Sequence, residues 1–408
     1  MKKRLIFTSL PLIALVIAAF FFSTNKAHAP QDQMRENNNN PSFASIASSA
    51  ELAGKHLSAE RCSGMDISQL THLPMNMADF ESIIPYGFTI GSHVTPIDHQ
   101  YFSPKDYNSK IDTYDVYAMA DSRIVAISTR DRTAKDGTPF KDYRIVFTIS
   151  CRLLYYYDLV TSLAPDLQVA YERDGNNINF EVKSGQLIGR IGEQTLDFAV
   201  WDTTKPLKGF IIPEHYLAEE WKLYTADPLD YYSDDIKTQA LSKYLRTVEP
   251  RSGKIDYDID GKLIGTWFQE GTNAYAGVSG EAGMNYWVGH LSFVPDYLDP
   301  NGFQISIGNW PEGAEQFAVR GNHPDPVTVD VDTGLVKYTL AHVQYKIGDD
   351  YWNRMALVSP ITFIPEDSAL GCALAELTDT RTLRFEAIPN TPCVQVIGFS
   401  DNALTYTR

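Results

Sequence analysis

The stretch GSHVTPIDHQYF, residues 91–102, places His93, Asp98 and His99 within seven positions around Pro96. Imidazole and carboxylate groups are ligands of zinc, and a catalytic zinc site keeps one coordination position open for water. A polar turn between two β-strands can contain the same residues without binding an ion. The stretch alone therefore leaves two interpretations open, a metal site and a surface turn.

The sequence around this stretch predicts short β-strands joined by turns. β-Branched and aromatic residues dominate 142–160, and glycines separate three short strand candidates in 181–202. The segment DVYAMADSRIVAIS, 115–128, alternates, breaks at Asp121-Ser122 and resumes, which is typical of a hairpin. We therefore expect an all-β region with no helix before residue 214.

The order of these motifs resembles that of the lysostaphin-like zinc endopeptidases of the cell wall, whose fold is often called the duplicated hybrid motif. The resemblance covers residues 85–202. In that family a His-x-x-x-Asp motif supplies two zinc ligands, and a later Tyr-x-His carries a histidine that assists catalysis. A final His-x-His supplies a second catalytic histidine and the third ligand. The resemblance implies a β-sandwich domain of this type.

The metal ligands that the resemblance implies are only partly matched. His93 stands at the first ligand position, and Asp98 lies one residue beyond the regular place of the second, which Ile97 occupies. Asp197 replaces the third ligand, and His99 is a nearby fourth candidate. Such a set would hold one divalent metal, either zinc or a harder cation such as calcium or manganese.

The two catalytic histidines of the family are replaced. Asp158 stands at the position of one of them, within YYDL at 156–159. Thr195 stands at the position of the other, within TLDF at 195–198. Amide hydrolysis needs proton transfer and oxyanion stabilisation near neutral pH, which the lost imidazoles would provide and a threonine cannot. We therefore expect a degenerate, non-catalytic domain without a cofactor. The alternative is an active metalloendopeptidase that cuts peptidoglycan crosslinks through His93, Asp98 and Asp197.

The N-terminal residues predict export. Lys2, Lys3 and Arg4 precede an apolar run over 5–22, and Ala27 and Ala29 form a cleavage pattern that Pro30 follows directly. Because proline restricts the backbone at that bond, residues 1–29 are either a signal peptide or a membrane anchor formed by 5–22. We expect a flexible linker over 30–58 and a periplasmic or extracellular location.

The four cysteines, Cys62, Cys151, Cys372 and Cys393, fit an oxidising compartment. Four cysteines allow three pairings, and free buried thiols are a further alternative. The short spacing of Cys372 and Cys393 favours that pair as a C-terminal disulfide, which leaves Cys62 with Cys151.

The second half of the chain predicts another β-rich domain. A helical stripe that Ser233 caps closes a first domain over 59–248, and the second domain spans 249–408 as a barrel or sandwich. DYDIDG, 256–261, predicts a hairpin turn with its aspartates on the solvent face. GKLIGTWF, 261–268, is similar to the Gly-x-Trp start of lipocalin-like barrels. The fold class is therefore mainly β, with a short helical connection between two domains.

Net charge limits the partners. A formal charge of −16 argues against nucleic acid and against electrostatic docking on anionic lipid. We expect cell-wall peptidoglycan or another envelope protein as the partner, and a membrane contact only through an uncleaved N-terminal segment. A third hypothesis is a ligand carrier that uses the lipocalin-like domain.

Overall fold

The computed structural model describes residues 43–278, 285–321, 323–354 and 356–408. The expected signal peptide or anchor, 1–29, lies outside the described residues. Within the described part of the chain, every helix is too short or too polar to span a bilayer. Antiparallel sheets dominate and helices are few, which confirms the mainly β fold class.

The first half of the chain forms two sheets and three α-helices. Its elements are α1 (Phe43–Leu57), β1 (Phe80–Ile84), β2 (Gln100–Pro104), β3 (Tyr114–Tyr117), β4 (Ser122–Thr133), β5 (Pro139–Thr148), β6 (Leu153–Val160), β7 (Ser162–Leu163), α2 (Pro165–Asp174), β8 (Phe180–Val182), β9 (Leu187–Ile191), β10 (Leu196–Asp202), β11 (Thr225–Ala226) and α3 (Asp234–Leu241). Short 3-10 helices lie at Gly175–Asn177, Pro213–Tyr224 and Pro228–Asp230.

The large sheet of this half has the order β1-β2-β10-β6-β5-β4-β8, with β11 paired to β10. A second sheet, β3-β9-β7, lies beside it. The two central strands, β6 and β10, are buried along their whole length. This order places β10 between β2 and β6, so the segments that carry the sequence motifs become neighbours.

The second half of the chain forms a closed barrel. Its elements are β12 (Gly265–Gln269), β13 (His290–Pro295), β14 (Phe303–Ile307), β15 (Glu315–Arg320), β16 (Val336–Ile347), β17 (Asp350–Tyr351), β18 (Thr362–Pro365), β19 (Gly371–Asp379), β20 (Thr382–Pro389) and β21 (Leu404–Thr407), with 3-10 helices at Ala274–Ala276, Tyr286–Gly289, Val331–Thr333 and Cys393–Gln395. Strands β12 to β16 pair in succession, β16 pairs with β19, and β19 to β21 continue to β12. Each barrel strand therefore has a partner on both edges, which leaves no open edge.

Aromatic side chains fill the barrel interior. Trp267, Phe293, Tyr338, Phe385 and Tyr406 are buried there in one apolar cluster. The indole N–H of Trp267 donates to the carbonyl of Leu263 at 2.8 Å, and so the tryptophan is satisfied within the core. This filled interior does not favour a carrier for a large apolar ligand.

The two halves share an apolar cluster and several hydrogen bonds. Trp201 from the first half and Phe268 and Tyr275 from the second belong to one buried cluster. The Arg246 guanidinium donates to the carbonyl of Tyr297 at 2.8 Å. The barrel therefore packs directly against the large sheet.

Both predicted disulfides are present, Cys62–Cys151 and Cys372–Cys393. The helix that follows Ser233 is also present as α3, although the Ser233 side chain makes no capping hydrogen bond.

Two expectations about helices are wrong. Helix α1 occupies 43–57, where we expected a flexible linker, and Gly54 in it lies so close to the carbonyl of Cys151 that a β-carbon would stand 1.7 Å from that oxygen. Helix α2 lies before residue 214, where we expected none; Pro165 begins it, and Leu167 and Ala170 are its buried face.

Both hairpin expectations are wrong as well. β3 pairs with β9 in the small sheet and β4 with β5 and β8 in the large one, so alternation across 115–128 reflects two strands of different sheets. Asp260-Gly261 does form a turn, with Asp260 exposed, but the segment before it is not a strand, and Asp256 and Asp258 are buried instead of solvent-facing. Their carboxylates accept backbone N–H groups, Asp256 from Gly209 and Asp258 from Thr266, both at 2.8 Å.

We predict that the two disulfides stabilise the chain unequally. Their sequence separations are 89 and 21 residues. Because a longer closed loop removes more entropy from the unfolded chain, replacing both Cys62 and Cys151 by alanine should lower the free energy of unfolding by about 4–5 kcal/mol. Replacing Cys372 and Cys393 should cost about 3 kcal/mol. Urea unfolding followed by tryptophan fluorescence measures both; a larger loss for the C-terminal pair would contradict the prediction.

Candidate functional site

Three strands bring the sequence motifs together. Asp197 on β10 lies in register with Tyr101 on β2 and with Asp158 on β6. Asp98 and His99 directly precede β2. Residues far apart in the chain therefore meet at one end of the central strands.

A β-bulge shapes the β6 side of the site. Ile145 pairs with Tyr157 but Tyr143 pairs with Val160, so β6 carries one extra residue at this point. Leu159 has φ 66°, and its backbone N–H donates to the Asp158 carboxylate at 2.8 Å. A bulge redirects a side chain, and here it accompanies the turn of Asp158 toward a neighbouring arginine.

Each oxygen of Asp98 accepts from a donor of the same helical segment. The Lys222 ammonium lies 2.9 Å from Oδ1, and the Trp221 indole N–H donates to Oδ2 at 2.9 Å. Asp98 is 3% exposed and Lys222 4% exposed, so this is a buried ion pair. Both donors lie in the 3-10 helical segment Pro213–Tyr224, after a kink at Glu219, and this segment follows the last strand motif.

His99 lies between two carboxylates. Its Nδ1 is 3.2 Å from Asp98 Oδ1, and its Nε2 is 3.3 Å from Asp197 Oδ2. The Thr195 hydroxyl donates to the other Asp197 oxygen at 3.0 Å. His93 stands nearby, with its ring centroid 6.2 Å from that of His99. The structure therefore gathers all the predicted ligand residues in one neighbourhood.

Asp158 is paired with arginine instead of being free to act as a base. The Arg130 guanidinium contacts both of its oxygens, one of them at 3.1 Å. Arg130 also donates to Asp142 at 2.7 Å, and Arg132 donates to the second Asp142 oxygen at 2.8 Å. Asp158 thus belongs to an arginine–carboxylate network on β4, β5 and β6.

The barrel covers the Lys222 side of the site. Lys222 Nζ lies 3.2 Å from the Glu219 carboxylate and 4.9 Å from the centre of the Tyr275 ring. The guanidinium carbon of Arg144 lies 4.5 Å from the Trp221 ring centre and 4.4 Å from that of Tyr156. Cations near aromatic faces are stabilised, so these rings suit the buried Lys222 and the half-buried Arg144.

Charges and burial shift the acid–base properties of the site. Burial alone would raise the pKa of Asp98, but Lys222 and His99 hold that pKa well below its usual range. Burial raises the pKa of Asp197 to about 7, although His99 partly opposes the rise. The carboxylates of Asp197 and Asp98 raise the pKa of His99 against the effect of its burial. Burial lowers the pKa of His93 to about 3, and the charges of His99 and Lys222 act in the same direction.

The donor set does not fit a resident metal ion. Across the described residues, no three His, Cys, Asp or Glu side chains are grouped so that they could hold one. A cation would have to approach Asp98, whose two oxygens already accept from an ammonium and an indole N–H. Like charges repel strongly at this range in a buried site, so we derive no chemistry through a metal, and the ligand set His93, Asp98, Asp197 and His99 remains a prediction.

Sequence reasoning did not identify three residues that decide the chemistry, Trp221, Lys222 and Arg130. Trp221 is 123 positions from Asp98 in the chain, and no spacing rule links the two. A tryptophan–lysine pair in a helix-like segment is also common on ordinary amphipathic surfaces. Only the tertiary structure assigns these side chains to the site.

No protein-family model matches the chain, and no curated protein matches it. Among solved structures, Csd3 from Helicobacter pylori is similar to it, with 18% sequence identity and a TM-score of 0.21. The likeness covers 34% of this chain and 31% of the Csd3 chain, so it spans about a third of that structure. A likeness at this level carries no argument about activity.

We predict that Lys222→Met lowers the free energy of unfolding by about 3–5 kcal/mol, because it leaves the Asp98 carboxylate buried without its counter-charge. Combining Lys222→Met with Asp98→Asn should recover part of the lost free energy of unfolding. Lys205→Met is the matched control, since Lys205 pairs with Asp230 at 3.4 Å on the exposed surface and should change little. Urea unfolding measures all three, and a Lys222→Met variant as stable as the control would refute the buried pair.

We predict that Asp197 makes stability fall as pH rises from about 4 to about 7. Its folded pKa is about 7, above the value of about 3.9 in an unfolded chain. A raised pKa contributes stability below the unfolded pKa, and that contribution is lost as pH rises through the folded pKa. Asp197→Asn should flatten this slope in urea unfolding at pH 5 and pH 7.5; an unchanged slope would show that Asp197 is not its source.

Proposed function

We propose that the chain is an exported cell-envelope protein whose first domain binds or scaffolds peptidoglycan or another envelope protein without hydrolysing it. The proposal that this domain does not hydrolyse its partner rests on one observation. Both oxygens of Asp98 accept from protein donors, Lys222 and Trp221, where the resembled family would use that carboxylate for zinc.

The contacts of Asp158 also support a domain without hydrolytic activity. Asp158 is neutralised by Arg130, and the Thr195 hydroxyl donates to Asp197. A general base must present a free lone pair to substrate or water, and a nucleophile must be activated by a base. Asp158 does not meet the first requirement, because the Arg130 guanidinium contacts both of its oxygens.

The location in the envelope is supported by two features. The N-terminal residues carry a basic segment followed by an apolar run, which is typical of an export signal. Two disulfides join all four cysteines, and disulfides persist mainly in oxidising compartments. The cell-wall partner follows from the resemblance of the 85–202 motifs to the lysostaphin-like endopeptidases.

We predict that the purified full chain co-sediments with isolated cell-wall sacculi and releases no soluble muropeptides from them. Sedimentation measures the binding, and chromatography of the supernatant measures the hydrolysis. Thr195→Ala should behave as the unaltered chain in both assays, since no reaction depends on its hydroxyl. A protein that stays in the supernatant would argue against a wall partner, and fragment release that His93→Ala abolishes would argue for the endopeptidase.

A further inference from the structure

A polar cavity lies at the seam between the first domain and the barrel, and neither Asp98 nor Lys222 lines it. Its volume is about 250 Å³. On one side it is lined by the 88–91 loop, which precedes His93, and on the other by strands β14 to β16 and by Arg354. Ligand sites occur preferentially at domain interfaces.

The loop that forms one wall is held in place by two glutamines of the barrel. The Thr89 hydroxyl donates to the side-chain oxygen of Gln304 at 3.1 Å. The Gln316 side-chain amide bonds the backbone of Gly91 in both directions, accepting from its N–H at 2.7 Å and donating to its carbonyl at 2.9 Å. These hydrogen bonds therefore fix the position of this wall without a ligand.

A buried carboxylate organises the floor of the cavity. Asp296 is fully buried, and it accepts from the Gln304 amide and from the Tyr345 hydroxyl, each at 2.6 Å. Gln304 and Tyr345 both line the cavity. Because Asp296 fixes these two side chains at once, the floor has one defined shape.

Two opposite charges face this cavity without an ionic partner of their own. Among the described residues, neither Glu315 nor Arg354 lies within ion-pair distance of an opposite charge. Burial raises the pKa of Glu315, which His342 opposes only in part. Arg354 donates one N–H to the carbonyl of Val343 at 2.8 Å and lies 5.1 Å from the Tyr345 ring centre. A guanidinium has five N–H donors, so Arg354 retains donors for a ligand.

We propose that this seam cavity binds a small zwitterion, an amino acid or dipeptide whose ammonium pairs with Glu315 and whose carboxylate pairs with Arg354. The volume equals that of about eight water molecules, which suits a ligand of this size. A guanidinium binds carboxylate with paired hydrogen bonds, and a carboxylate lining a cavity selects an ammonium. The site does not depend on the function proposed above.

Calorimetric titration of the full chain with alanyl-alanine tests the proposal. Saturable binding is expected for the free dipeptide, and blocking either terminus, as the N-acetyl or the amide form, should weaken it about ten- to hundredfold. Comparing the D,D and L,L forms distinguishes a peptide of wall type from one of protein type. Equal binding of free and doubly blocked peptides, or no binding of either isomer, would overturn the proposal.

Variants separate the two charged contacts. Glu315→Gln should weaken binding of the free dipeptide tenfold or more, and it should not change binding of the N-acetyl form, which lacks the ammonium. Arg354→Gln should likewise weaken binding of the free dipeptide tenfold or more, and it should not change binding of the amide form, which lacks the carboxylate. Glu270→Gln, an exposed residue outside the lining, is the control and should bind as the unaltered chain. Variants that all bind like the control would contradict the assignment of Glu315 and Arg354.

Discussion

The buried ion pair between Asp98 and Lys222 is the interaction on which the site depends. It sits where three strand ends meet, and it fixes the state of the other groups. Lys222 keeps Asp98 ionised, Asp98 in turn orients His99, and His99 reaches Asp197. A buried pair contributes little net stability compared with apolar packing, but losing one member is costly. The ammonium therefore acts as a fixed counter-ion, built into the chain, for a carboxylate that would otherwise need a cation.

The pair also connects the site to the architecture. Lys222 and Trp221 come from the 3-10 helix after β10, and Tyr275 from the barrel side covers the lysine. The barrel thus completes the low-dielectric surroundings that make the charge pairing strong. Elsewhere on the boundary between the two halves, Gln304 and Gln316 hold the 88–91 loop against β14 and β15, and this loop forms one wall of the seam cavity.

Much of the fold can be predicted from the sequence, because strand alternation, turn residues and cysteine spacing are local signals. The mainly β class, α3 and both disulfides follow from such signals. Pairing partners are not local, so alternation over 115–128 predicts a hairpin although its two strands join different sheets. The sequence does not predict the burial of Asp256 and Asp258, because their N–H partners, Gly209 and Thr266, are set by the tertiary structure and not by alternation along the segment. For the candidate site, motif order predicts His93, Asp98, Asp158, Thr195 and Asp197, whereas the contacts of Lys222 and Arg130 are evident only in the tertiary structure.

The central claim is that an ammonium takes the place of a metal beside Asp98. Crystals of the full chain soaked in zinc, with data collected at the zinc absorption edge, test it most directly. The account predicts no anomalous peak between Asp98 and Asp197, with Lys222 Nζ in contact with Asp98. A strong peak coordinated by Asp98, His93 and Asp197, with Lys222 displaced, would contradict it.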